Sequence, residues 1–194
     1  MRVYLGDGQG HFAAPTEYSI PTSPTTLIAG DVNGTGRVDL AVPYASQAGL
    51  ILLRNIGNGA FFSARTTVAT NAQGMVSADF NHDGKPDVAV VNAPSCAAPC
   101  NGTVSVFPGS GSTYFNPPAR YSIGMHGAAI AVGDVNHDGF LDLVVTNATA
   151  GDNSDVAVLL GTASGGFQAA RNYKLGALSQ DVFLVDVNKD GKLD

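Results

Sequence analysis

Tryptophan is absent from the 194 residues, only two are cysteine, and charged residues make up 13% of the chain. Lysine and arginine together number 10 against 16 acidic residues, and the formal net charge of −6 argues against nucleic acid or an anionic membrane as a partner. No apolar run approaches the roughly 20 residues that span a bilayer. Glycine, by contrast, is abundant at 24 residues, and this composition is typical of a β-rich protein with many tight turns.

The two cysteines, Cys96 and Cys100, stand in the short sequence CAAPC. In an oxidising compartment they could close a local loop through a disulfide, and the other interpretation is a pair of unlinked thiols. A redox or zinc role is disfavoured, because the spacing is not C-x-x-C and there is no second pair of ligands.

Four copies of one acidic pattern organise the chain. They read DVNGTGRVD (31–39), DFNHDGKPD (79–87), DVNHDGFLD (134–142) and DVNKDGKLD (186–194), and we number them loops 1 to 4. Each copy has oxygen-bearing side chains at positions 1, 3, 5 and 9 and glycine at position 6. Calcium prefers six to eight oxygen ligands, and a loop of this pattern can wrap around such a hard cation. Eleven of the 16 acidic residues lie in these loops, where bound cations would relieve their mutual repulsion.

We therefore predict one structural calcium ion in each acidic loop, up to four in all. The predicted ligands are the side chains at positions 1, 3, 5 and 9 together with the backbone carbonyl at position 7. They are Asp31, Asn33, Thr35, Arg37 and Asp39 in loop 1, Asp79, Asn81, Asp83, Lys85 and Asp87 in loop 2, Asp134, Asn136, Asp138, Phe140 and Asp142 in loop 3, and Asp186, Asn188, Asp190, Lys192 and Asp194 in loop 4.

Other interpretations of the loops are weaker. EF-hands require a bidentate glutamate at position 12, where this chain has Val42, Val90 or Val145. Aspartate and asparagine are also good turn formers, but four copies with the same glycine and the same ninth aspartate exceed what turns alone need. Magnesium is disfavoured because it demands strict octahedral geometry. Thr35 leaves loop 1 with two carboxylates instead of three, so we predict that loop 1 binds calcium most weakly.

The first aspartates of the loops are 48, 55 and 52 residues apart, a period typical of repeat architectures. Each unit contains four short apolar stretches separated by glycine, asparagine, aspartate or proline, which indicates four strands per unit. The sequence therefore predicts an all-β fold, a β-propeller of four-stranded antiparallel blades and a partial array of about four blades. The predicted repeats are 1–20 (partial), 25–70, 75–124, 128–176 and 180–194 (partial). We interpret both ends as cuts inside a longer array, so that any signal peptide would lie upstream.

With these residues the chain resembles the FG-GAP repeats of integrin α-subunit propellers and the related bacterial VCBS repeats. The resemblance rests on GDVN-x-x-G-x-x-DL with apolar strands on both sides, and on the glycine-rich turn that ends in Phe61 or Phe167. It implies a propeller with calcium loops on one rim and a protein or glycan ligand on the opposite rim. On that rim we expect segments 43–49, 92–103 and 146–155 and the links near 21–26, 71–75, 124–128 and 176–180.

The sequence shows no catalytic set, so we expect a protein that is not an enzyme. His82 and His137 fall at loop position 4 and are expected to face solvent. The leading hypothesis is a calcium-binding module of an extracellular or cell-surface protein that mediates adhesion or ligand binding. The alternative is an accessory or lectin-like propeller of a secreted carbohydrate-active enzyme whose catalytic residues lie outside these 194 residues.

Overall fold

The structure is a computed structural model. It describes residues 1–20, 24, 26–44, 49–66, 72–93, 101–111, 115–124, 126–147, 155–176 and 180–194. The predicted disulfide partners Cys96 and Cys100 lie outside the described residues. Among the described residues there is no helix that is long and apolar enough to cross a bilayer.

The described strands form one two-stranded sheet and three four-stranded sheets. The two-stranded sheet, the opening hairpin, pairs β1 (Arg2–Val3) with β2 (Thr16–Glu17). Blade 1 consists of β3 (Ile28–Gly30), β4 (Asp39–Tyr44), β5 (Gly49–Gly57) and β6 (Ala60–Thr66). Blade 2 consists of β7 (Ala72–Ala78), β8 (Asp87–Asn92), β9 (Gly102–Phe107) and β10 (Ala119–Gly124). Blade 3 consists of β11 (Gly127–Gly133), β12 (Asp142–Asn147), β13 (Asp155–Leu159) and β14 (Arg171–Lys174).

Within each blade every strand pairs antiparallel with the next strand in sequence. The first strands β3, β7 and β11 follow one another, with β7 in contact with both β3 and β11. Gly74 permits the close approach of β7 to β11, since a Cβ there would lie 3.1 Å from the carbonyl oxygen of Ala128. This is the blade topology of a propeller, so the predicted fold class is confirmed; within the described residues the sheets do not close into a ring.

The hydrophobic core lies between neighbouring blades. Residues of the second strands β8 and β12 are buried throughout, and β8 lies in blade 2, which has a blade on both sides. One cluster joins blades 2 and 3 through residues such as Val91, Ile123 and Leu143, and another joins blades 1 and 2 through Leu52 and Val90. Burying each such side chain contributes about 1.5–3 kcal/mol, so the blades are held to each other by apolar packing.

One predicted strand is absent. The apolar stretch DVFLV (181–185) precedes loop 4 as the first strands precede loops 1 to 3, which predicts a first strand, but the described structure has no strand there. First strands elsewhere pair with a second strand, whereas here only Asp194 lies in that place and donates its N–H to the carbonyl of Val185 (3.0 Å). The segment is held by packing instead, with Leu184 and Leu193 against Gly133.

Candidate metal centre

The four acidic loops share one position in the repeat. Loops 1, 2 and 3 connect the first to the second strand of blades 1, 2 and 3, and loop 4 follows the segment 180–185. The first strands lie next to one another and run in the same direction, so the loops that follow them lie on one side of the structure. We call this side the acidic rim. The opposite rim carries the starts of the first strands.

The carboxylate at position 1 winds each loop by accepting two backbone hydrogen bonds. In loop 3, Asp134 accepts from the N–H of Asp138 (3.1 Å) and the N–H of Gly139 (2.9 Å). The same two bonds form in loop 1, loop 2 and loop 4, at 2.6 to 3.1 Å. All four loops therefore adopt one closed conformation around the side chain at position 1.

Positions 3 and 5 complete the turn. The asparagine at position 3 accepts the N–H of position 5 in every loop, at 2.9 to 3.1 Å. In loops 2, 3 and 4 the aspartate at position 5 accepts the N–H of position 7 at 2.9 Å. A hydrogen bond to a carboxylate is about twice as strong as one between neutral groups, so these bonds stabilise the loop in the calcium-free protein.

Positions 4 and 6 have left-handed backbone conformations. Position 6 is always glycine, with φ of 78° in Gly36 and 88° in Gly139. Position 4 is glycine only in loop 1, as Gly34; His82, His137 and Lys189 occupy it elsewhere with φ of 56°, 59° and 63°. His82 and His137 are exposed, as predicted, and His82 also makes an edge-to-face contact with the Phe140 ring of loop 3. The positive φ at position 4 is a cost of about 1–2 kcal/mol that the hydrogen bonds of the loop offset.

The aspartate at position 9 joins three strands of its blade. Asp87 accepts the N–H of Phe80 at position 2 (3.0 Å) and the N–H of Gly109 beyond the third strand (2.7 Å). Asp142 does the same with Val135 (2.9 Å) and Gly161 (2.7 Å). Both carboxylates are almost fully buried, at 1% and 0% exposure. Position 9 is therefore a clamp within the blade, whether or not it also holds a cation.

Glycine at the end of the third strand is part of this clamp, and the sequence analysis missed it. A Cβ at Gly109 would lie 2.2 Å from the carbonyl oxygen of Pro86, and a Cβ at Gly161 would lie 2.4 Å from that of Leu141. In blades 2 and 3 the absence of a side chain at this glycine lets its backbone pass against these carbonyl groups while its N–H donates to the aspartate; in blade 1 Asn55 stands at the equivalent place and donates the same bond to Asp39 (2.7 Å). The sequence signal was the recurrent glycine of the GSG and GTASGG turns, which we had interpreted as turn residues alone.

Loop 1 departs from the others at position 9. Asp39 is buried at 0% exposure, and its Oδ1 accepts the N–H of Asn55 (2.7 Å), but its Oδ2 has no hydrogen-bond partner. Burial raises the pKa of Asp39, the N–H of Asn55 opposes the rise, and the Asp31 carboxylate adds to it. The N–H groups of Val32 and Asn33 also lower this pKa, but neither reaches Oδ2 with hydrogen-bond geometry. A buried carboxylate oxygen without a partner is costly, and a cation would satisfy it.

The acidic loops contain the types of oxygen donor that calcium needs. Within the described ranges, no three aspartate, glutamate, histidine or cysteine side chains converge as a metal-binding cluster. The donors nevertheless fit calcium in kind, since each loop offers carboxylate and amide or hydroxyl oxygens within nine residues. Burial raises the pKa of Asp87 against the Gly109 and Phe80 N–H groups, and repulsion from Asp83 and Asp79 adds to the rise. Asp83 and Asp79 therefore lie near enough to Asp87 for their charges to raise its pKa.

The opposite rim is only partly described, because most of the predicted ligand-binding segments fall outside the described residues. The residues of these segments that are not described are 45–48, 94–100, 148–154 and parts of the links. What is described includes a largely polar pocket of about 260 Å³ near the starts of the first strands, which we call the axial pocket. It is lined by Thr26, by residues 73–75 and 128–130 at the starts of β7 and β11, and by Gln180 and Asp181.

Comparisons with known proteins agree with this architecture. A family model described as FG-GAP-like repeat matches residues 31–90, and one described as FG-GAP repeat matches residues 126–159. Among solved structures, the chain is similar to a lectin of Agrocybe aegerita, determined to explain specific recognition of non-reducing terminal N-acetylglucosamine. The two are 18% identical with a TM-score of 0.51 over all of this chain and 67% of the lectin chain, a likeness of fold. No curated protein matches the sequence.

Proposed function

We propose that this chain, which is an FG-GAP repeat protein, is a non-catalytic ligand-binding propeller module stabilised by calcium. Its place would be an extracellular or cell-surface protein, where calcium is millimolar and modules of modest affinity are filled. The observation that carries the proposal is the common conformation of the four acidic loops, which repeats the same hydrogen bonds around positions 1, 3, 5 and 6.

The residues that would hold calcium are the side chains at positions 1, 3 and 5, the carbonyl at position 7 and the aspartate at position 9. In loop 3 these are Asp134, Asn136, Asp138, Phe140 and Asp142. When bound, the cation neutralises the carboxylates and crosslinks the two strands that flank the loop. The chain itself supplies the preformed turn, since position 1 already binds the N–H groups of positions 5 and 6.

Ligand binding is proposed for the opposite rim, at the axial pocket. The first strands begin there, so residues 73–75 and 128–130 bring side chains of two blades to one place. The pocket is largely polar and contains one carboxylate, Asp181, which suits hydrogen bonding to hydroxyl-rich ligands such as glycans. The similarity to a lectin favours this class of ligand, although a protein ligand fits the same rim.

A second candidate is an accessory, lectin-like propeller of a secreted carbohydrate-active enzyme. The fold similarity to a sugar-binding lectin favours it. Both candidates share the calcium loops and the ligand rim, and they differ in whether a catalytic domain belongs to the same protein.

Calorimetric titration with calcium tests the metal proposal. We expect up to four sites for calcium and much weaker heat for magnesium, together with a rise in melting temperature that a chelator reverses. The variant Asp134→Ala should remove one site. A protein that melts at the same temperature in calcium and in chelator would overturn the structural role of calcium.

Glycan array screening tests the ligand proposal, with glycans that end in N-acetylglucosamine among the probes. The variant Asp181→Asn removes the pocket carboxylate, and Glu17→Gln in the exposed strand β2 is the control for the lost charge. Glycan binding that Asp181→Asn weakens and Glu17→Gln preserves would support the pocket. Equal binding by both variants would place the ligand elsewhere, and the calcium result is independent of either outcome.

A further inference from the structure

Loops 2 and 3 are a matched pair in sequence. Both have aspartate at positions 1, 5 and 9, asparagine at position 3, histidine at position 4 and glycine at position 6. They differ only at positions 2, 7 and 8, and the one difference in charge is Lys85 at position 7 of loop 2, where loop 3 has Phe140. Because the predicted ligands are of the same kinds in both loops, this lysine is the residue that can make their cation binding differ electrostatically.

Lys85 contacts the aspartate at position 5 in two ways. Its backbone N–H donates to Oδ1 of Asp83 (2.9 Å), and its ammonium Nζ lies 3.8 Å from Oδ2 of the same carboxylate. In loop 3 the N–H of Phe140 makes the same backbone bond to Asp138 (2.9 Å). There, however, Oδ2 of Asp138 accepts the side-chain N–H of Asn136 (2.9 Å). The carboxylate at position 5 therefore faces a neutral amide in loop 3 and a positive charge in loop 2.

The turn after the third strand of blade 2 holds this lysine in place. A Cβ on Gly111 would lie 3.3 Å from Cδ and 3.4 Å from Cε of Lys85, and a Cβ on Gly109 would lie 3.4 Å from its Cβ. The two glycines therefore leave the space along which the methylene stem of Lys85 runs. A stem packed along the protein in this way keeps its ammonium close to Asp83. The two side chains are 45% and 38% exposed, so water screens their charges only in part.

We propose, on the basis of the calcium function proposed above, that Lys85 is an affinity-determining residue of loop 2, a tethered positive charge that makes loop 2 bind calcium more weakly than loop 3. Asp83 is a predicted ligand, and an ammonium beside it acts twice in the same direction. It stabilises the carboxylate in the calcium-free loop, and it repels the divalent cation in the filled loop. The carbonyl of Lys85 is itself a predicted ligand, so the backbone and the side chain of this residue have opposite effects on the cation.

Two consequences separate this role from a structural one. Loop 1 has only two carboxylates, so calcium should fill loop 3 first, loop 2 next and loop 1 last. An ion pair between half-exposed groups contributes little to stability, so removing the lysine charge should hardly change the melting temperature in calcium-free buffer. In calcium the same change should raise the melting temperature, because loop 2 then binds the cation more tightly.

Calcium titration of the whole chain, followed by heteronuclear NMR of the backbone amides, tests the proposal loop by loop. The N–H of Gly84 donates to Asp79 in loop 2 (2.8 Å) and the N–H of Gly139 donates to Asp134 in loop 3 (2.9 Å), so each glycine signal reports one loop. The Gly139 signal should respond at about threefold to tenfold lower calcium than the Gly84 signal. Lys85→Met, which removes the charge but keeps a long stem, should bring the two midpoints together, whereas Lys85→Arg should preserve the gap.

Salt and a second lysine supply the controls. Raising sodium chloride from about 0.05 M to about 0.5 M screens the charge of Lys85, so the gap between the two loops should narrow in the wild type but not in Lys85→Met. Lys174→Met also removes one positive charge. Lys174 is exposed at the end of β14 and pairs with Asp155 at the start of β13, at the rim opposite the acidic loops. Its replacement should leave both midpoints unchanged.

The outcomes distinguish this role of Lys85 from calcium binding itself. Equal midpoints for Gly84 and Gly139 in the wild type would overturn the inference and leave calcium binding intact. The same holds for a Gly84 midpoint that Lys85→Met does not move. A titration in which neither glycine signal responds would overturn the proposed calcium function, and the role of Lys85 with it.

Discussion

Loops 1 and 3 have the same conformation but differ in how completely their acidic groups are satisfied. In loop 3, Asp138 binds the N–H of Phe140 and both oxygens of Asp142 accept backbone N–H groups. In loop 1, Thr35 replaces the aspartate at position 5, and Asp39 Oδ2 is buried without a partner. The bonds around position 1 are the same in both loops.

The comparison separates two roles within one short sequence. Positions 1, 3 and 6 set the shape of the loop, and they are preserved even where a predicted ligand is lost. Positions 5 and 9 determine how much of the negative charge the protein itself can satisfy. Loop 3 is close to self-sufficient without a cation, whereas loop 1 leaves a buried oxygen for a cation to satisfy but offers fewer carboxylates to bind it.

The largest expected effect concerns the glycine that brings the third strand to the clamp. Gly161→Ala places a methyl group against the Leu141 carbonyl oxygen, and because that atom is backbone the clash cannot be relieved by a side-chain movement. We expect a loss of about 3 kcal/mol in the free energy of unfolding, measured by urea denaturation. Gly30→Ala in β3 is the control, since a Cβ there meets nothing within 4 Å. Equal stability of the two variants would show that the clamp in blade 3 does not need this close approach.

The next comparison replaces the ninth aspartate in both loops in calcium-free buffer. Asp142→Asn loses one of two buried hydrogen bonds and sets an amide N–H against a backbone N–H, so we expect a loss of about 2 kcal/mol. Asp39→Asn can keep its bond to Asn55 while removing a charge whose pKa is raised by burial. A raised pKa means that the ionised carboxylate lowers the stability of the folded state at pH values above both its unfolded and its folded pKa. At neutral pH, Asp39→Asn should therefore change the free energy of unfolding by less than about 1 kcal/mol. Equal losses measured by thermal unfolding would contradict the difference between the two loops.

Calcium affinity can be raised where the sequence predicts it to be lowest. Thr35→Asp gives loop 1 the third carboxylate of loop 3 and an acceptor for the N–H of Arg37. We expect about tenfold tighter binding at this site, which corresponds to about 1.4 kcal/mol of additional stabilisation in saturating calcium. Without calcium the added charge should leave stability unchanged or slightly reduced. The reverse variant Asp138→Thr in loop 3 is the matched control, and a titration in which loop 1 of the wild type fills first would refute the predicted order.

The parts that the sequence predicted well are local. The four strands of each unit follow from short apolar stretches and turns, and the bends at Gly36, Gly84 and Gly139 follow from spacing within nine residues. The clamp between Asp142 and Gly161 and the contact between Tyr121 and Phe167 were not predictable in this way. They join residues 19 and 46 positions apart, and their partners are fixed only once blades have formed and packed. The unpaired oxygen of Asp39 likewise depends on burial that no local pattern reports, and calcium binding itself stays a prediction.

The smallest expected effect tests the backbone of the shared loop shape. Loop 1 has Gly34 at position 4, where loop 3 has His137, and both residues have positive φ (71° and 59°). His137→Gly removes a left-handed conformation that costs a side-chain-bearing residue about 1–2 kcal/mol, and it adds about 0.5–1 kcal/mol of backbone entropy to the unfolded state. The first term is larger, so thermal unfolding should show a gain of about 0.5–1 kcal/mol, and Gly34→His should lose a similar amount. His137 is exposed, so lost packing does not complicate the result, whereas His82 would be a poorer choice because its ring contacts Phe140. A loss of stability in His137→Gly would mean that the histidine contributes more to loop 3 than its backbone strain removes.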